Sequence, residues 1–315
     1  MKRFFAVIFA AFITAAALGS CSAQRVESGR LTVVTTIFPQ YDFARTIAGG
    51  RADVKMLLPP GSEAHYYEPT LEDLAAINSC GLFIAAGGGI DAWCDKVISL
   101  CENDIRVLKL TDCVPLLEEA ETEGMQEEHG HGHGHAHTEP ETDEHVWTSP
   151  RNAAAIAARI AEEMSAADPL NADYYMNNAD VLIRELGVLD ADFRDTAEKA
   201  RVKTLIFAER FPFRYFAAEY GFDYYAAFNG CSADNEVKLE TVAFFIQKIK
   251  ELDIRAVFYV EFSNEAVADV ICGATGCRKL LFHSCHTVSK DDLAAGKTYI
   301  SIMRENLENL KKAVN

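Results

Sequence analysis

Basic side chains are scarce in this sequence, and one long stretch has none. Thirty Lys and Arg stand against 47 Asp and Glu, a formal net charge of −17. No basic face is apparent, which excludes nucleic acid as a partner. There is no CxxC pair, no HExxH, and no Lys-Ser/Thr to turn Gly87-Gly88-Gly89 into a phosphate loop. The first absence argues against a structural zinc site. The second argues against a zinc hydrolase, which needs a general base beside a metal-bound water. The third leaves the glycines as a tight strand-to-helix turn. A spanning helix needs about 20 apolar residues, and the apolar run at 4–18 is too short.

What the chain has instead is a concentration of carboxylate and imidazole. Residues 118–147, EEAETEGMQEEHGHGHGHAHTEPETDEHVW, lack lysine and arginine, and ten acidic residues lie between 118 and 144. His129, His131, His133, His135 and His137 alternate with Gly or Ala, and His145 follows. Such a segment has too few apolar side chains to offset the entropy of ordering its backbone, so a disordered loop is expected. Imidazoles and carboxylates are also ligands for divalent transition metals, which makes the tract a set of auxiliary weak metal sites.

Lys2 and Arg3 precede the apolar run, and Gly19, Ser20 and Cys21 follow it. This is the layout of a secretory signal. Leu18-Gly19-Ser20-Cys21 resembles a bacterial lipobox, which implies lipidation of Cys21. An extracytoplasmic protein anchored to the bacterial membrane, on the cell surface or the periplasmic face, is expected. The eight other cysteines are an even number that an exported chain can pair, but their spacing does not say how.

Apolar strand-like runs at 31–36, 54–58, 82–86 and 105–108 alternate with helical stretches near 41–48, 71–78 and 91–100. Thr70-Leu-Glu-Asp73 reads as a capping box, and Ser149-Pro150 as the cap and first residue of an Ala-rich helix to Met164. A second series of strands is expected at 204–207, 224–228, 256–260 and 280–282, with a helix at 239–252. Strands alternating with helices imply parallel sheets covered on both faces. Between the two series, Asp168-Pro169 starts a helical pattern to about Ala200, with Leu182, Leu186, Leu189 and Phe193 on one face and only Gly187 interrupting. The fold expected is α/β: two lobes, each a parallel sheet of about four strands with flanking helices, joined by one long rigid linker helix. Boundaries follow as signal peptide 1–20, lipid-anchored linker 21–29, first lobe 30–167 with its acidic loop at 118–144, linker helix 168–200 and second lobe 201–315.

Ligands of such lobes collect outside the carboxyl ends of the strands. His65 follows the second strand of the first lobe and His145 the fourth. In the second lobe Glu209 and Arg210 follow the first strand, and His283, Cys285 and His286 the fourth. Nearly every histidine outside the tract therefore lies at a strand end, the pattern of a metal site.

These segments resemble the metal-binding receptors of zinc and manganese ABC transporters. The likeness rests on PPGSEAHYYEPT around His65, EHVWTSPRNA around His145, DPLNADYYMNNADVLIRELGVLDADF, YFAAEYG and MRENLENL. It implies pseudo-symmetric lobes with one metal at their interface. The role implied is non-catalytic capture of Zn2+, with Mn2+ the alternative, and delivery to an ABC permease by a monomer. A surface adhesin or extracellular zinc buffer would use the same site. The family's third ligand aligns on Arg210, whose guanidinium has no lone pair to offer, so Glu209 is the nearest donor there. The fourth falls near Ser284, where His286 is favoured, then His283, with Cys285 weaker. Arg210 is expected to pair instead with Glu261.

Overall fold

The computed structural model describes residues 29–103, 105–126, 142–230 and 236–315. Leu31–Asn315 form one unit; of Met1–Arg30 only Gly29 and Arg30 are described. The expected signal peptide, Cys21, Cys231 and the tract from His129 to His137 lie outside the described residues.

The most continuous apolar runs, such as LTVVT and LFIA, become inner strands buried on both faces, as parallel sheets require. In the first lobe β1 (Leu31–Thr35), β2 (Ala52–Met56), β3 (Leu82–Ala85) and β4 (Arg106–Lys109) pair in the order β2-β1-β3-β4, all parallel. In the second, β5 (Thr204–Phe211), β6 (Asp223–Asn229), β7 (Ala256–Tyr259) and β8 (Arg278–Leu281) repeat that order as β6-β5-β7-β8. The repeated order is the pseudo-symmetry that the resemblance implies.

The first lobe's helices are α1 (Phe38–Ala48), α2 (Leu71–Ser79), α3 (Cys94–Leu100) and α4 (Pro150–Ala167). Thr70 and Asp73 make the reciprocal capping box on α2, and Ser149 caps α4. Then comes α5 (Ala172–Lys199), entered through a short turn at Pro169–Asn171. Its 28 residues span about 42 Å. Leu182, Leu186, Leu189 and Phe193 are buried along it, and it packs on α4, α1 and α10 (Tyr299–Val314). Gly187 does not break the helix; it faces open space, where glycine costs only about 1 kcal/mol. The second lobe is covered by α6 (Arg214–Tyr220), α7 (Leu239–Glu251), α8 (Ala266–Thr275), α9 (Lys290–Ala294) and α10.

Contacts between the lobes are specific as well as apolar. Trp147, fully buried, donates from Nε1 to the Ser284 carbonyl at 2.8 Å, and Tyr299 Oη donates to the Trp147 carbonyl at 2.6 Å. The Phe38 amide donates to the His286 carbonyl at 3.2 Å. Truncating such a buried aromatic costs about 3–5 kcal/mol, so these contacts hold the lobes in one arrangement.

Two expectations need correction. β5 runs to Phe211 rather than ending at Phe207, with a register shift against β6 between Phe207 and Arg210. Past the shift the pairing resumes between Arg210 and Phe228 and between Phe211 and Asn229, and this carries the strand to Phe211. The acidic segment is also not loop throughout. Glu118 bridges to Thr142, the Gln126 amide donates to the Ala227 carbonyl at 2.9 Å, and Lys248 reaches Glu123 at 3.1 Å. Residues 118–126 thus lie against the second lobe, held by backbone hydrogen bonds as well as by the Lys248–Glu123 ion pair.

Candidate metal centre

His65 sits in a short helical turn, Ala64–Tyr66, in the connection from β2 to α2. Glu63 caps that turn and takes His65 Nδ1 at 2.8 Å. His145 immediately precedes the turn Val146–Thr148 that feeds α4. Asp143 Oδ1 accepts from its backbone amide at 2.8 Å and meets its Nδ1 at 3.0 Å. His286 follows β8; its Nδ1 meets Ser284 Oγ, and Ser284 Oγ in turn bonds Glu261. Glu261 also accepts from the Ser284 amide at 2.7 Å. Cys285 at φ 66° makes this turn, a left-handed conformation that costs energy for a side-chain-bearing residue and recurs at functional sites.

Each imidazole is thus held at Nδ1 by an oxygen two residues earlier in the chain. With Nδ1–H donated, Nε2 keeps its lone pair. The Nε2 atoms of His65, His145 and His286 are all buried and have no hydrogen-bond partner among the described residues. The ligand atoms of the three lie within 4.8 Å of one another, and the ring centroids of His145 and His286 are 4.8 Å apart. Orphaned buried nitrogens are costly, and a cation at their meeting point would satisfy all three. A cavity of about 270 Å³, lined by His65, His286, Glu63, Glu261 and Arg210 among others, leads to them. His145 lies fully buried.

The electrostatics suit a cation. Burial, then the neighbouring imidazoles, hold His286 well below the usual histidine range, so it stays neutral. Burial pulls His145 down, but Asp143 outweighs it and the net shift is upward. Burial opposes ionisation of Glu63, yet His65 and Arg210 hold its carboxyl well below the ordinary range. Burial pushes Asp91 up to about 6, against hydrogen bonds from the Ala86 and Gly87 amides.

Of the residues the sequence singled out, the structure brings His65, His145 and His286 together. Glu209 and His283 are outside this group. Arg210 lines the cavity by the histidines, while Glu209 is absent from its lining, bonds Ser263 and lines a neighbouring cavity that Arg210 also borders. His283 is bound into its own turn, Nδ1 accepting from the Cys285 amide at 3.0 Å and its backbone tied to Asn306. Cys285 is fully buried, and burial pushes its thiol well up, away from thiolate. Arg210 pairs with Glu63 at 2.9 Å, not with Glu261, whose oxygens are taken by Ser284. Sequence reasoning passed over Glu63 and Asp143, and named Ser284 only as a position near which a ligand falls. The signal for them was present, an oxygen-bearing side chain two positions before each histidine.

A family model described as zinc-uptake complex component A, periplasmic, matches residues 33–313. The high-affinity zinc uptake system protein ZnuA of Bacillus subtilis is 32% identical over 313 residues, 98% of this chain and 96% of that protein. The zinc-binding lipoprotein AdcA of Streptococcus pneumoniae is 29% identical over 95% of this chain, which spans only 58% of the AdcA length. Among solved structures, the Zn(II)-bound ZnuA-like domain of S. pneumoniae AdcA superposes with a TM-score of 0.75 at 27% identity, covering 91% of this chain and 99% of that domain. The family match across almost all of the folded chain, together with a relative similar from end to end, shows that this chain belongs to the zinc-uptake complex component A family.

Proposed function

We propose that the protein is a non-catalytic receptor that captures Zn2+ outside the cytoplasm and delivers it to an ABC permease. The observation that carries this is the convergence of three buried Nε2 atoms with no hydrogen-bond partner among the described residues. Each is held in the metal-ready tautomer by an oxygen at Nδ1. Three imidazole nitrogen donors suit zinc, and the affinity order places manganese lowest. The zinc named for ZnuA of B. subtilis and for the bound AdcA domain supports the same ion. Among the described residues no helix is long and apolar enough to cross a membrane. Attachment through a lipid on Cys21 and action as a monomer belong to this proposal.

Calorimetry on the purified protein tests it. One tight zinc site, lost in His145→Ala with the fold intact by circular dichroism, is expected. Tight binding that survives that substitution would reject the site. Uptake of zinc by a deletion strain under chelation tests the transport role: loss of uptake supports a receptor, and normal uptake would reject it in favour of a buffer or adhesin.

A further inference from the structure

Three imidazoles leave a zinc ion one ligand short of the four that a closed site normally supplies. Each carboxylate near the histidines has a definable occupation. Glu63 gives one oxygen to His65 Nδ1 and the other to Arg210. Glu261 gives both to Ser284. Asp143 sits behind His145, on the Nδ1 side. Glu144 differs, because its Oε1 lies 3.8 Å from His65 Nε2, the nitrogen that faces the metal position.

We infer that Glu144 is the fourth protein ligand, closing the three-histidine site with a carboxylate oxygen. This rests on the reading that His65, His145 and His286 hold the ion. With Zn–N near 2.0–2.1 Å and Zn–O near 2.0–2.2 Å, the edge between two ligands of a tetrahedron is about 3.4 Å. The 3.8 Å separation seen here is a few tenths of an ångström wider. Glu144 lies outside the group of mutually close ligand atoms, so a side-chain rotation towards the ion completes the set.

The surroundings hold Glu144 in range. Its side chain is buried to 1% exposure beside His145. The Ile90 amide, in the turn Gly89–Asp91, donates to its two oxygens at 3.0 and 2.8 Å. That amide holds the carboxylate in place beside the histidines. Gly88 makes the space: its φ is 102°, and a Cβ there would lie 2.3 Å from Glu144 Oε2 and 2.8 Å from Glu144 Cβ. The Gly87–Gly89 turn, which the sequence leaves without a phosphate role, thereby acquires a reason to be glycine at its centre.

The test loads wild type and Glu144→Gln with Co2+, whose visible d–d bands report the ligand set, and adds thiocyanate. In the wild type the fourth position is filled, and the spectrum is expected to stay unchanged. In the variant the position opens, and the anion should bind and shift the bands. Zinc affinity of the variant should fall by roughly tenfold or more, since a neutral amide is a poor ligand. A wild-type spectrum that responds to thiocyanate as the variant's does would overturn the inference, as would unchanged zinc affinity in Glu144→Gln. The wild-type titration does not depend on the variant folding. If wild-type protein binds neither ion tightly, the three-histidine reading fails instead.

Discussion

Arg210 on β5 of the second lobe donates from Nη2 to Glu63 Oε2 of the first lobe at 2.9 Å, while Glu63 Oε1 meets His65 Nδ1 at 2.8 Å. A guanidinium that cannot bind metal thus acts on the site through a carboxylate and an imidazole. On the sequence resemblance Arg210 falls at a ligand position, and the contact it makes there is with Glu63. Its side chain is only 21% exposed, so solvent screens the pair less than at a free surface.

Removing either partner should therefore loosen His65 without removing it. Arg210→Ala and Glu63→Gln are each expected to weaken zinc binding by about 10–100-fold, the range for groups that orient a ligand. The double variant should lose little more than either single one, because both act through the same imidazole. Competition against a chromophoric chelator measures this, and strictly additive losses would show that the two act independently.

The histidines themselves should divide into two classes. Replacing His65 or His286 with Ala removes a converging nitrogen, and each change should abolish tight binding while leaving the fold intact. Replacing His283 or Glu209 with Ala touches neither the group nor its Nδ1 acceptors, and affinity should stay within a few-fold. Calorimetry on the four variants checks the division; a large loss on replacing Glu209 would move the site toward β5.

Much of this was legible in the sequence, for physical reasons that also set its limits. The runs LTVVT and LFIA announce buried parallel strands because nothing else accommodates so many apolar side chains in so few residues. The boxes at Thr70 and Ser149 fix helix starts because capping is local. His65 and His145 stood out because strand ends are where such lobes bind ligands. The Arg210–Glu63 pair was not legible: 147 residues separate the partners, and only the packed lobes bring them together. The full length of β5 was hidden likewise, since its pairing with β6 resumes at Arg210 and Phe211 only after a register shift. The choice among His283, Cys285 and His286 turned on a left-handed residue at 285, which no pattern in the sequence specifies.

Trp147 offers an optical report of the site. It is one of two tryptophans, with its ring 5.1 Å from that of His286 and 5.5 Å from that of His145. Trp93 lies instead beside Tyr67 and Phe83. Zinc should change the intrinsic fluorescence of wild type and of Trp93→Phe alike, and should leave that of Trp147→Phe nearly unaltered. A zinc response that follows Trp93 would place the ion elsewhere.

Asp91 links the metal-free fold to pH. Its carboxyl is raised from 3.8 to about 6, chiefly by burial, so between these values the folded state binds a proton that the unfolded state releases. Its contribution is present in full below about pH 3.8 and is lost as pH rises through about 6. The size is on the order of 2–3 kcal/mol. Asp91→Asn should flatten this part of the stability profile of the metal-free protein. Urea unfolding of both proteins between pH 4 and 7 measures it, and identical pH dependence would contradict the assignment.

The most direct measurement is a crystal of the zinc-loaded protein with anomalous scattering recorded at the zinc edge. The account predicts one strong peak about 2.0–2.1 Å from the Nε2 atoms of His65, His145 and His286 together. A peak held by Glu209 or His283, with those three nitrogens left unliganded, would contradict it.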